Sequence, residues 1–91
     1  MILSIDKYRL TINQLITIYI LKLYIMSLSL TNYADGPKKD LDKPGELWEF
    51  GTEISGCEIY IKLKITEIDG EKIVKCISFH EADRPLNYPF R

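Results

Sequence analysis

From Glu46 to Phe79 the chain reads ELWEFGTEI, CEIYIKLKITEI and EKIVKCISF, three runs in which apolar and polar residues alternate, joined by Ser55-Gly56 and Asp69-Gly70. Alternation at period two sends successive side chains to opposite faces of a strand, and X-Gly dipeptides are strong signals of tight hairpins. The spacing therefore predicts a three-stranded antiparallel meander over residues 46–80. In its central run Ile59, Ile61, Leu63 and Ile65 share one face, while Tyr60, Lys62 and Lys64 share the other. One face is core and the other is wet. A lone meander is marginal in water, so its apolar face needs a cover from elsewhere in the chain.

The available cover is the segment LTINQLITIYILKLYIMSLSL, residues 10–30, which is apolar nearly all round. As a helix it carries Ile12, Leu15, Ile16, Tyr19, Leu23 and Met26 in a stripe at three- and four-residue spacing, expected to meet the sheet. Ile18, Leu21 and Ile25 are left on the flank, and they call for a second contact, either a homodimer through residues 10–30 or a partner protein. The β-branched content also permits a strand between Leu15 and Ile25. The segment is long enough to span a bilayer, but Lys22 in its middle would cost roughly 3 kcal/mol in lipid, and the expectation is a cytoplasmic protein with no membrane span.

Ninety-one residues, 46% hydrophobic and 27% charged, fit one domain over residues 1–91 and exclude wholesale disorder. Twelve basic against thirteen acidic side chains do not make the basic footprint of a nucleic-acid binder. Residues 31–45, with Gly36-Pro37 and Pro44-Gly45 around Lys38, Lys39, Asp40, Asp42 and Lys43, read as a solvated charged loop. The tail, residues 81–91, carries Pro85 and Pro89 and is expected to lie extended against the sheet, anchored by Tyr88 and Phe90. At Asp69-Gly70 two registers compete. A two-residue loop sets Lys64 against Lys75 and turns His80 to the Ile59 face, whereas a three-residue loop from Ile68 to Gly70 puts His80 with Lys62; the three-residue loop is expected.

Cys57 and Cys76 are too few for a disulfide scaffold and are expected as reduced thiols; with His80 and Glu81 they lack the paired spacing of a zinc site, so neither metal nor cofactor is expected. No glycine-rich phosphate loop or serine elbow is present. The remaining chemistry lies in Tyr60, Lys62 and Lys64 on one strand and Ser78, His80, Glu81 and Arg84 at the end of the next. Attack of an RNA 2′-hydroxyl on its neighbouring phosphate needs a base, cations for the developing charge and an acid, and these side chains can supply them. The plainer reading is an alternating strand showing its lysines to water.

The pattern of Gly36-Pro37, a short charged loop, Trp48-Glu49-Phe50-Gly51, YIKL, CISFHEA and YPF resembles the MqsR-like toxins within the RelE-like group, over residues 30–91. The resemblance implies an α+β fold, an N-terminal helix packed on a three-stranded antiparallel sheet. It implies a metal-independent mRNA endoribonuclease neutralised by a cognate antitoxin, with RNA as substrate. On that reading Lys62 and His80 are catalytic, and Tyr60, Lys64, Ser78, Arg84 and Tyr88 contact the substrate. The alternative is a non-catalytic module that docks a partner through the apolar helix.

Overall fold

The computed structural model describes residues 2–4 and 12–91, and the chain is α+β. In order the elements are β1 (Ile2–Ser4), α1 (Ile12–Met26), a 3₁₀ turn (Leu30–Asn32), β2 (Tyr33–Lys39), β3 (Glu46–Ile54), β4 (Cys57–Ile68) and β5 (Glu71–Glu81). The sheet order is β1-β5-β4-β3-β2, with β2 to β5 antiparallel and β1 parallel to β5.

The meander forms where alternation predicts it, but it is only the middle of a wider sheet. Among the described residues four antiparallel strands replace the expected three, because Tyr33–Lys39, read as loop, pairs with β3. Gly36-Pro37 signals a turn in sequence, yet proline is tolerated on an edge strand, where its missing N–H interrupts no interior ladder. Two register shifts between Tyr33 and Lys38 absorb the irregularity, and only residues 40–45 remain as a bend.

Both hairpins are two-residue turns. Ile54 pairs with Cys57 and Ile68 with Glu71, and the turn residues Ser55, Gly56, Asp69 and Gly70 all have positive φ, from 51° to 80°. That is the type I′ geometry whose twist matches flanking strands. The expected three-residue loop is therefore corrected, and Lys64 does face Lys75. The change of parity comes further along: Lys62 pairs with Ser78 but Leu63 with Cys76, leaving Ile77 as an unpaired bulge residue. Beyond the bulge Tyr60 pairs with His80, so His80 returns to the face of Lys62. One extra residue lets Val74, Cys76 and Phe79 all point to the apolar face while Lys75 points away from it.

That apolar face is the core. Ile61, Leu63 and Val74 are buried, and Ile25, Leu28, Phe50, Ile59, Ile65, Cys76 and Phe79 pack around them. The helix thus meets the sheet with the side opposite to the expected one. Ile25 is on the core and Ile18 and Leu21 are half-buried, whereas Ile12, Ile16, Tyr19, Leu23 and Met26 are 51–80% exposed. Two apolar faces compete for one sheet, and the wider stripe loses. Leu10 and Thr11, and the side chain of Leu15, lie outside the described residues. Among the described residues no helix is long and apolar enough to cross a membrane.

Candidate functional site

The second face of the sheet carries Glu49, Gly51 and Glu53 from β3, Glu58, Tyr60, Lys62 and Lys64 from β4, and Ser78 and His80 from β5, placed together by the β3-β4 and β4-β5 registers. The chain after β5 folds back over one end of this face. Ala82 donates to the Glu58 carbonyl at 2.9 Å, the Leu86 amide to Glu58 Oε1 at 3.0 Å and the Tyr88 hydroxyl to Glu58 Oε2 at 2.8 Å. Gly51 makes the close approach possible: a Cβ there would sit 2.1 Å from the Tyr88 hydroxyl and 2.6 Å from a Leu86 methyl. Phe90 packs on Tyr33 with ring centroids 5.4 Å apart, and the Arg91 guanidinium lies 4.0 Å above the Tyr88 ring.

Between the returning chain and the strands is a cleft of about 420 Å³ lined by Glu49, Tyr60, His80, Ala82, Asp83, Arg84 and Leu86. The Tyr60 and His80 rings lie against each other with centroids 5.3 Å apart. His80 Nδ1 is 2.8 Å from the Glu81 carbonyl. A carbonyl only accepts, so Nδ1 carries the proton, and in the neutral ring the lone pair is then on Nε2, where a general base can use it. The Tyr60 hydroxyl donates to Glu49 Oε1, and burial together with that carboxylate pushes its pKa up to about 12. Tyr60 is therefore a neutral, fixed hydroxyl across the physiological range.

Of the seven residues singled out in sequence, Tyr60, His80 and Arg84 line one cleft. Lys62 is on the same face one pairing along, opposite Glu49 and Ser78, but outside the cleft lining. The diagonal from Lys62 to His80 is roughly 7 Å between backbones, within reach of a flexible ammonium. Lys64 is elsewhere in function: its side chain is nearly buried and its ammonium lies 2.6 Å from Asp40, which removes it as a phosphate contact. Tyr88 is held by Glu58, and desolvation with that hydrogen bond raises its pKa to about 12.

The residue that sequence reading missed is Glu49, which accepts from both Tyr60 and Lys38. Its signal was present, since a two-residue turn at Ser55-Gly56 places Glu49 directly opposite Lys62. Lys38 also lies 2.6 Å from Asp35, and the two carboxylates raise its pKa. Both cysteines are free, and burial pushes the Cys76 thiol up. Among the described residues no three metal-ligating side chains cluster.

On the opposite side, a wider apolar groove of about 780 Å³ opens between the end of α1 and the core, bounded by Ile25, Leu28, Tyr33, Trp48, Phe50 and Ile65 among others, with Lys22 as its one cation among the described residues. No protein-family model, curated protein or solved structure matches this chain.

Proposed function

We propose that the protein is a metal-independent endoribonuclease of the toxin type, working from the cleft between β3, β4, β5 and the returning tail. The observation that carries this reading is the state of His80: its Nδ1 proton is held by the Glu81 carbonyl, and its ring stands beside Tyr60 in a cleft that Arg84 also lines. Nε2 takes the proton from an RNA 2′-hydroxyl, whose oxygen attacks the adjacent phosphorus. Arg84, with Lys62 reaching along the face, balances the negative charge that gathers on the phosphorane. The P–O5′ bond then breaks, and the proton held on His80 passes to the departing 5′-oxygen. The products are a 2′,3′-cyclic phosphate and a 5′-hydroxyl. Tyr60, tied to Glu49, offers a flat ring and a fixed hydroxyl beside the substrate rather than a proton. A toxin of this kind carries with it a neutralising antitoxin.

The test is incubation of pure protein with several mRNAs in EDTA, with and without ribosomes. Cleavage should survive the chelator and leave cyclic phosphate ends. His80→Ala and Lys62→Ala should each reduce the rate by on the order of 10²-fold or more while the far-ultraviolet spectrum is unchanged. A second reading, a non-catalytic module, is favoured by the exposed apolar side of α1. It takes over if wild type and both variants are equally inert.

A further inference from the structure

The outer side of α1 is a feature that neither the core nor the cleft uses. Ile12, Ile16, Tyr19, Leu23 and Met26 are exposed by 74%, 53%, 63%, 51% and 80%, and Ile20 beside them by 46%. Their numbers advance by four, three, four and three, the spacing of a coiled-coil seam, so the shape that fits them is another helix. We propose that this helix is α1 of a second copy of the chain, lying antiparallel across a two-fold axis at Tyr19.

Two observations select a second copy over an unrelated helix. The stripe is nearly palindromic about Tyr19, so reversal sets Ile12 against Met26 and Tyr19 against itself and brings Ile16 and Leu23 within one residue of register, pairs of similar volume as an isologous interface requires. One flank, Asn13 and Ile20, is neutral, and the other carries Lys22, the one charged residue of α1, which reversal about Tyr19 sets near Ile16 and away from the Lys22 of the other copy. Coiled-coil partners are otherwise chosen by charges on those flanks, and here no like-charged pair repels a second copy.

The proposal is independent of the ribonuclease reading, and its test uses no RNA. Sedimentation equilibrium of the full chain should give a reversible dimer, and Leu23→Lys should weaken association at least roughly tenfold without altering the sheet signal. In a Cys57→Ser background, oxidised Tyr19→Cys should form a disulfide-linked dimer. Ile12→Cys should crosslink when mixed with Met26→Cys and not by itself. A chain that stays monomeric up to millimolar concentration overturns the proposal, and so does Ile12→Cys linking to its own copy, which would mean a parallel pair. A monomer that instead binds a different protein through this stripe overturns it as well.

Discussion

Lys64 illustrates how one contact decides what a side chain is for. It alternates with Tyr60 and Lys62, and sequence alone puts all three on a wet face, but the bend after β2 carries Asp40 to within 2.6 Å of its ammonium and covers the pair. A nearly buried cation left alone is costly, whereas replacing it by an apolar side chain of like length is not. Asp40→Ala should therefore destabilise the fold more than Lys64→Met does, and urea midpoints compare them; equal losses would mean that the ammonium is not desolvated. The pair also sets an acid limit. The Lys64 ammonium, then the Asp42 amide, hold the Asp40 carboxyl down at about 2 against an ordinary 3.8. A depressed carboxyl contributes its full stability above its unfolded value and loses it as pH falls through the folded one. The urea midpoint of wild type should therefore fall between pH 4 and pH 2 more steeply than that of Asp40→Asn.

At the scale of elements, β4 and β5 show what a pattern carries and what it does not. Hairpin turns were legible because Ser55-Gly56 and Asp69-Gly70 are chemistry local to two residues, and the faces of β4 followed from strict alternation. The bulge at Ile77 was not legible, since VKCISFH contains no glycine or proline to mark it. It arises because two demands conflict: the type I′ turn fixes one parity, and burial of Phe79 requires the other. His80 and Lys62 were thus expected on one face for the wrong local reason, a longer loop. β2 was hidden by Gly36-Pro37, and the choice of helix face by an apolar pattern with two sides. The turn also sets Lys75 directly opposite Lys64. Lys75 is exposed, so Lys75→Glu should stabilise the hairpin by about 0.2–1 kcal/mol, a gain that thermal melts at low salt can read and that high salt should diminish.

Across the whole molecule, stability is concentrated in the meander. Among the described residues the three buried apolar side chains belong to β4 and β5, while the helix reaches the core through Ile25 and the following Leu28, with Tyr24 meeting Phe79 at 6.4 Å between rings. The radius of gyration, 13.7 Å, exceeds the about 12 Å usual for a compact chain of this length, in keeping with a helix that lies over an open groove. Regions with few buried apolar contacts open at lower free energy than the core strands. Amide exchange should accordingly be slowest in β4, around Ile61 and Leu63, and much faster in α1, with Ile61→Ala costing about 2–5 kcal/mol. Protein concentration should change this order. A second copy on the outer face of α1 binds only the folded helix, so the helix amides should gain protection as concentration rises while those of β4 gain less. Exchange measured at two concentrations a hundredfold apart reads both effects. If α1 is as protected as β4 in dilute solution, the helix is held by its own sheet and stability is not concentrated in the meander.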